Sequence, residues 1–297
     1  MHLLPLIFFS LLGIILLFPV VLHWVYRAPR IPEQATPEKL GLAYSQHYLI
    51  SEKAKRLYSW LLPAKESPCT LVIVHGWGAN AEMMLPLALP FHRAGMEVLL
   101  YDARNHGRSD SDSFSSLPRF SEDLNAVVNW NRQRSPEQKI VVLGHSIGAA
   151  AAILAASHRH DIDLVIGLSG FAHPNLVMNR HLSRPWLPSF LRPLILNYIQ
   201  WAIGFRFDDI APMNRIRHVR CPVLLAHGTD DQVVPISDMQ LIGENATRQH
   251  QVRIIPIEGA QHDSVELFQQ HAGMLLDFIQ ENLPPTAHQV QPNVILS

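Results

Sequence analysis

A serine flanked by glycines is the feature of this sequence that points most directly to chemistry. Residues 144–148 read GHSIG, the G-x-S-x-G pattern that presents a nucleophilic serine on a sharp turn between a strand and a helix. Such a turn leaves no room for side chains two residues before and after the serine, where Gly144 and Gly148 stand. An apolar run precedes the pattern and an alanine-rich stretch follows it, which distinguishes it from an ordinary glycine-rich turn. The sequence therefore predicts Ser146 as a nucleophile.

A serine nucleophile needs a histidine base and an acid that orients the imidazole. Residues 227–235 (HGTDDQVVP) follow an apolar run and offer two adjacent carboxylates; we assign Asp231 as the acid and keep Asp230 as the alternative. Residues 258–263 (EGAQHD) follow the last apolar run and present His262, the candidate base. The chain contains 17 histidines, so this assignment depends on the position of His262 and on the chain order serine, acid, histidine.

Acyl transfer at a serine also needs two backbone N–H donors for the oxyanion. The residue after the serine, Ile147, supplies one of them. The second should come from the loop after the first core strand, where residues 75–78 read HGWG, and Trp77 N–H is the candidate. The Trp77 side chain can at the same time be an ordinary core aromatic, because only its backbone is recruited.

The elements that must position these residues alternate between apolar, β-rich runs and helical stretches such as residues 120–134. This alternation predicts an α/β fold with a mostly parallel sheet covered by helices on both faces. Two more strands are predicted earlier, at residues 44–50 and 56–62. The strands predicted in the alternating part are residues 70–74, 97–101, 140–143, 164–168, 223–226 and 252–257.

One interval, residues 171–207, interrupts the alternation and predicts a small helical cap over the strand ends. It contains prolines, helix-like pieces and no strand-like run, and it holds four arginines but no Asp or Glu. Its apolar side chains line a path for an acyl chain, or meet a lipid surface, or only pack the cap onto the sheet. The residues concerned are Arg180, Arg184, Arg192 and Arg206, with Trp186, Leu187, Phe190, Leu194, Ile195 and Trp201 among them.

An apolar segment near the start of the chain predicts a membrane anchor. Residues 3–24 contain no Asp, Glu, Lys or Arg, and at about 1.5 Å per residue they cross a hydrocarbon core of roughly 30 Å. The run is too long for a cleaved signal peptide and lacks its basic start and small-residue end. It also lacks the amphipathic pattern of a buried core helix. We therefore predict a transmembrane helix within residues 1–26.

The residues after this anchor predict a linker and an orientation. Residues 27–39 contain three prolines and mixed charge, which is typical of a short stiff linker, and the catalytic domain follows at residues 40–297. Removal of residues 1–30 is therefore expected to leave an active domain. Because Arg27 and Arg30 lie on the C-terminal side of the anchor, the positive-inside rule predicts a single-pass membrane protein whose domain is cytoplasmic.

Composition excludes several functions. The 297 residues carry a formal charge of −1, so there is no basic excess for a nucleic acid partner. The two cysteines, Cys69 and Cys221, lie far apart and predict neither a disulfide framework nor a zinc site. Residues 158–161 (HRHD) resemble part of a metal-binding run, but no further ligand accompanies them, and no phosphate-binding glycine motif is present. We expect no metal and no cofactor.

Taken together, these motifs resemble the serine α/β-hydrolases, and among them the serine aminopeptidase and monoacylglycerol-lipase-like branch. The resemblance covers residues 44–283 and includes residues 57–63 (LYSWLLP) and 101–110 (YDARNHGRSD), where Asn105 replaces the usual glycine of the family. It implies the α/β-hydrolase fold and hydrolysis by a Ser-His-Asp triad. We interpret Asp102 and Arg104, in the same stretch, as structural.

The function expected from this resemblance is cleavage of carboxylic esters, as lipid-like acyl esters or thioesters, through an acyl-enzyme. A serine peptidase or aminopeptidase is one alternative, although recognition of a free amine would need carboxylates and the cap at residues 171–207 has none. A non-catalytic binding protein on the same fold is the alternative from another class. The intact set of nucleophile, acid, base and oxyanion donors argues against it.

Overall fold

The computed structural model describes residues 27–247 and 252–283, together with residues 13, 17, 19–21 and 23. Most of the anchor predicted at residues 1–26 therefore lies outside the described residues. Among the residues that are described, no helix has both the length and the apolar character needed to cross a bilayer.

Within the described residues, eight strands form one sheet in the order β1-β2-β4-β3-β5-β6-β7-β8. The pairs β1–β2 and β2–β4 are antiparallel, and the strands from β3 to β8 are parallel to one another. This confirms the predicted mostly parallel sheet. The strands are β1 (Ser45–Ile50), β2 (Arg56–Leu62), β3 (Cys69–Val74), β4 (Glu97–Tyr101), β5 (Lys139–His145), β6 (Leu164–Leu168), β7 (Val223–Gly228) and β8 (Val252–Ile257).

Helices connect the strands and cover both faces of the sheet. The α-helices after residue 27 are α1 (Leu85–Arg93), α2 (Leu117–Arg134), α3 (Ile147–Ala156), α4 (Pro174–Leu182), α5 (Leu191–Ile203), α6 (Phe207–Ile210), α7 (Pro212–Arg215), α8 (Ile236–Glu244), α9 (Val265–Gln270) and α10 (Ala272–Asn282). Short 3₁₀ helices lie at Pro37–Leu40, Glu52–Ala54, Glu82–Met84 and Ile216–His218.

The core consists of two buried apolar clusters, one on each face of the sheet. Because successive side chains of a strand point to opposite faces, Val72 and Val74 of β3 belong to one cluster, while Leu71 and Ile73 belong to the other. Helices α2, α3 and α8 pack on the first face, and α1, α9 and α10 pack on the second. Every residue of β3 is buried, which explains why its sequence is a continuous apolar run.

Residues 171–207 form α4 and α5 and contain no strand. Leu182 and Ile195 are the buried centre of a small apolar cluster between these helices. Arg180 of α4 forms an ion pair with Asp238 of α8, whose side chain is fully buried. This pair attaches the cap to the sheet domain, so the carboxylate that pairs with Arg180 comes from outside the cap.

Candidate active site

Ser146 lies on a sharp turn between the end of β5 and the start of α3, at φ +55° and ψ −118°. This backbone conformation is strained for a residue with a side chain, at a cost of about 1–3 kcal/mol. The flanking glycines make the turn possible. A Cβ on Gly144 would lie 2.2 Å from the carbonyl oxygen of Gly148, and a Cβ on Gly148 would lie 2.4 Å from the carbonyl oxygen of Val74.

The structure brings the three predicted polar residues into one hydrogen-bonded row. Ser146 Oγ lies 2.9 Å from His262 Nε2, and His262 Nδ1 lies 2.7 Å from Asp231 Oδ2. Asp231 follows β7 and His262 follows β8, so the three residues stand at the carboxyl ends of parallel strands. This edge of the sheet is where open α/β sheets place their sites.

The surroundings of the two adjacent aspartates distinguish Asp231 from Asp230. Asp231 is buried, and its Oδ1 accepts hydrogen bonds from Val233 N–H at 2.9 Å and Val234 N–H at 2.8 Å. Burial opposes its ionisation, but hydrogen bonds from His227, His262 and the Val234 N–H hold the pKa of Asp231 well below its usual range. Asp230 is exposed and pairs with its neighbour Thr229. Of the two carboxylates, only Asp231 reaches the imidazole of His262.

The two predicted oxyanion donors border the serine. Ile147 is the first residue of α3, where backbone N–H groups lack partners inside the helix. The loop after β3 packs against Ser146, since a Cβ on Gly76 would lie 3.4 Å from Ser146 Cβ. Within the described part of the chain, neither Ile147 N–H nor Trp77 N–H takes part in an intramolecular hydrogen bond. Both donors remain open to a ligand oxygen.

Two buried histidines support this geometry, and sequence reasoning missed both of them. His145 Nε2 lies 2.8 Å from the carbonyl oxygen of His262 and so holds the loop that carries this imidazole. His75 donates from Nδ1 to the carbonyl of Gly76 at 2.7 Å and accepts at Nε2 from Ala103 N–H at 2.9 Å. Burial lowers the pKa of His75 to about 3, in keeping with a neutral ring that must accept. The sequence signal for these roles was position, since His145 directly precedes Ser146 and His75 directly precedes Gly76.

The loop after β4, at residues 102–110, is held by buried polar contacts. Asp102 accepts from Ala81 N–H at 2.8 Å and from Arg108 N–H at 2.9 Å. Arg104 is buried and donates from Nε to Asp123 at 2.7 Å. Asn105, which replaces the usual glycine, has φ +68°, a left-handed conformation that asparagine tolerates better than most residues. None of these contacts reaches Ser146, in agreement with a structural role for Asp102 and Arg104.

A large apolar cleft of about 1370 Å³ opens over Ser146 and His262. Its walls come from the cap helices α4 and α5, from the loop that carries Trp77, and from residues 114–117. Apolar side chains dominate the lining, among them Met83, Phe114, Val177, Leu187, Ile199 and Val265.

Among the described residues, one group of side chains has the spacing of a metal site. His145, His262 and Asp263 place one ligand atom each within 4.8 Å of one another. Both histidines are already hydrogen-bonded, His262 to Ser146 and Asp231, and His145 to the carbonyl oxygen of His262. These contacts account for the closeness of the two histidines. The HRHD run is engaged elsewhere, since His158 lies 3.0 Å from an Arg215 nitrogen.

Known proteins share this fold and parts of this sequence. A family described as serine aminopeptidase, S33 matches residues 65–204. An uncharacterised protein of Bacillus subtilis, YqkD, is 30% identical over 184 residues, which are 60% of each chain. The mouse alpha/beta hydrolase domain-containing protein 17C is 27% identical over 74% of this chain and 62% of its own length. The esterase Pf2001 of Pyrococcus furiosus has a similar structure, with a TM-score of 0.72, 23% identity, and coverage of 87% of this chain and 97% of the esterase.

These similarities agree with the fold described above. The chain belongs to the α/β-hydrolase superfamily. The matched region spans about three fifths of the curated relatives named here.

Proposed function

We propose that this protein is a membrane-anchored serine hydrolase that cleaves carboxylic esters or thioesters of large apolar acyl groups through an acyl-enzyme. The observation that carries the proposal is the hydrogen-bonded row Asp231, His262, Ser146 beneath an apolar cleft. The esterase Pf2001, whose fold is similar, adds support of a general kind.

In this mechanism, Ser146 Oγ attacks the acyl carbon while His262 Nε2 takes the hydroxyl proton. The tetrahedral intermediate places its negative oxygen between Trp77 N–H and Ile147 N–H, where preorganised donors stabilise it. The imidazolium then returns the proton to the leaving alcohol or thiol, and the acyl-enzyme remains. His262 then deprotonates a water molecule, which attacks the acyl carbon, and the imidazolium returns this proton to Ser146 Oγ as the acid is released. Asp231 keeps Nδ1 protonated, so that Nε2 faces the serine in its accepting form.

The cleft supports a large apolar substrate. Small-molecule sites commonly occupy about 300–1,000 Å³. The present cleft, at about 1370 Å³, exceeds that range and has a mostly apolar lining. A long or branched acyl chain would remove much of this lining from water, at about 25 cal/mol per Å² of apolar surface. Short soluble esters would leave most of the cleft filled with water.

Exposed apolar side chains of the cap support a site of action beside a lipid surface. Trp186 and Trp201 are each 77% exposed, and Phe190 is 70% exposed. Large exposed apolar surfaces are typical of membrane or protein contacts. Together with an anchor within residues 1–26 and basic residues after it, these side chains support a single-pass protein with its hydrolase domain at the cytoplasmic leaflet.

A serine aminopeptidase is the second candidate, and one observation favours it beyond the family match. The cap contributes no carboxylate, yet Glu82, Asp263 and Glu266 from other elements line the cleft. A carboxylate near the serine is what recognition of a free amine requires. The absence of acids from residues 171–207 therefore does not argue against a peptidase.

A chain-length series of esters tests the proposal. The full-length protein in detergent is assayed on nitrophenyl esters of acyl chains from two to sixteen carbons, and on aminoacyl nitroanilides, with Ser146→Ala as the control. We expect kcat/KM to rise with acyl length, no turnover of the anilides, and labelling of Ser146 by a fluorophosphonate. Faster turnover of the anilides would establish the peptidase. Failure of both labelling and turnover would show a non-catalytic protein.

A further inference from the structure

The segment before the sheet domain lies across the loop that carries the proposed oxyanion donor. Residues 28–34, here called the N-terminal arm, form neither helix nor strand. Asn80 Nδ2 donates to the carbonyl oxygen of Ile31 at 2.8 Å, and the ring of Pro29 lies so close to Gly78 that a Cβ there would meet it at 2.8 Å. The arm therefore contacts residues on the C-terminal side of Trp77.

The same arm also holds the 102–110 loop. Arg30 donates to the carbonyl oxygen of Ser109. Arg108 Nε lies 3.1 Å from Glu33 Oε2 and forms an ion pair with it. A segment that only linked an anchor to a domain would not need contacts with two separate loops.

Glu33 is the buried centre of these contacts, since only 5% of the residue is exposed. Its carboxylate lies beside that of Asp102, because a Cβ on Gly107 would meet Asp102 Oδ2 at 2.1 Å and Glu33 Oε1 at 2.3 Å. Only glycine fits at residue 107, between these two acids. Asp102 in turn accepts hydrogen bonds from Ala81 N–H and Arg108 N–H, and these bonds connect the loop at residues 76–82 to the loop at residues 102–110.

Two neighbouring buried carboxyl groups repel each other when both are ionised. Burial, followed by the adjacent Glu33 carboxyl, raises the pKa of Asp102 well above its ordinary value. The Arg108 guanidinium, whose Nε lies 3.1 Å from Glu33 Oε2, offsets part of the charge of the pair. The result is a short polar chain from the arm through Asp102 to Ala81 N–H, four residues after Trp77.

We propose that the N-terminal arm, through Glu33 and Pro29, is a positioning element that holds the loop at residues 76–82 so that Trp77 N–H faces the oxyanion. This inference rests on the proposed function, because it assigns the arm to that same site. The arm also borders the cleft, which Ile31, Pro32 and Gln34 help to line.

The contacts of the N-terminal arm move the start of the hydrolase domain towards the N-terminus. The linker predicted at residues 27–39 and the removal of residues 1–30 treat this segment as a spacer. A cut after residue 30 would remove Ala28, which is buried, and Pro29 and Arg30, which contact the two loops. We place the boundary before residue 27.

The test compares Glu33→Ala, Glu33→Gln and Glu38→Ala in the full-length protein. Glu38 lies in the 3₁₀ helix after the arm and is exposed, so it is a matched control. Each variant is measured for kcat and KM on one nitrophenyl ester and for affinity for a trifluoromethyl ketone, whose tetrahedral adduct places an oxyanion in the site.

We expect Glu33→Ala to lower kcat by about tenfold or more with little change in KM, because oxyanion stabilisation acts in the transition state. Affinity for the ketone should fall by the same factor. Glu33→Gln should keep activity within about threefold of wild type, because glutamine has nearly the same shape and its amide offers both a donor and an acceptor to the Asp102 carboxyl group. Glu38→Ala should match wild type.

The outcomes separate this inference from the proposed function. An inactive wild-type protein would refute the proposed function. An active wild type with equal kcat and ketone affinity in Glu33→Ala would overturn the inference alone, as would equal losses in Glu33→Gln and Glu33→Ala. Where Glu33→Ala does not fold, Pro29→Ala decides. Pro29 is exposed, and wild-type kcat in that variant would refute the role of the arm.

Discussion

The substitution Asp231→Asn gives the sharpest test of the hydrogen-bonded row. Asp231 Oδ1 accepts two backbone hydrogen bonds, from Val233 N–H and Val234 N–H. In an asparagine at residue 231, only the amide oxygen can accept these two bonds. The amide N–H₂ must then occupy the position of Oδ2, 2.7 Å from His262 Nδ1. Two donors cannot face each other, so His262 must move its proton to Nε2.

The loss of activity follows from the changed tautomer of His262. With its proton on Nε2, His262 donates to Ser146 Oγ and cannot take the hydroxyl proton during attack. The change of carboxylate to amide in a Ser-His-Asp triad lowers kcat by about 10⁴, or about 5 kcal/mol in the barrier. The backbone contacts of residue 231 persist, so the fold and KM should change little.

The assay is the kcat for a nitrophenyl ester, and Asp230→Asn is the matched control. Asp230 is exposed and contacts its neighbour Thr229, so its variant should retain activity within about twofold. Circular dichroism and thermal unfolding of both variants verify folding. If Asp231→Asn kept more than a tenth of the wild-type kcat, or if Asp230→Asn lost more, the reasoning from the two backbone donors would be refuted.

The remaining predictions concern the serine turn and the buried histidines. Ser146→Ala should leave the fold intact and reduce turnover to the residual about 10³–10⁴ over water that binding and the oxyanion donors provide, and near-normal turnover would disprove the nucleophile assignment. Gly148→Ala should lower the free energy of unfolding in urea by about 3 kcal/mol, because the new Cβ would lie 2.4 Å from the carbonyl oxygen of Val74. The control is Gly273→Ala, since no atom lies within 4 Å of the new Cβ there. This variant should stabilise α10 by about 0.5–1 kcal/mol. Equal stabilities of the two would contradict the close approach. Burial lowers the pKa of His75 to about 3 and that of His106 to about 4. As the pH drops below about 6.5, these two histidines therefore bind protons in the unfolded chain before they do so in the folded protein. The free energy of unfolding should consequently fall between about pH 6.5 and pH 4. The slope should be smaller in His106→Asn, and a stability independent of pH in that window would refute neutral buried rings.

Local sequence was sufficient for the serine turn because the turn imposes strict local requirements. A strand, a strained serine and two flanking glycines must follow one another directly, so they leave a contiguous pattern. The apolar runs of the parallel strands were equally informative, since a strand covered on both faces has no polar side. The fold class and the position of Ser146 could therefore be predicted from the residues alone.

The choice between adjacent carboxylates depended on the tertiary structure. Sequence placed Asp230 and Asp231 after the same strand, with equal chemistry. Only the packing of the loop decides that Asp231 is buried against Val233 N–H and Val234 N–H and reaches His262.

Contacts between distant segments had no signature in the sequence. The cap at residues 171–207 holds four arginines and no acid, and the partner of Arg180, Asp238, lies 58 residues away along the chain. The prolines of the N-terminal arm suggested a spacer, but Glu33 is buried beside Asp102. Sequence by itself determined the elements and the serine turn, because neighbours along the chain dictate them. The tertiary structure alone decided which charges are paired and that the N-terminal arm contacts the loop after β3, because those contacts depend on groups that folding brings together.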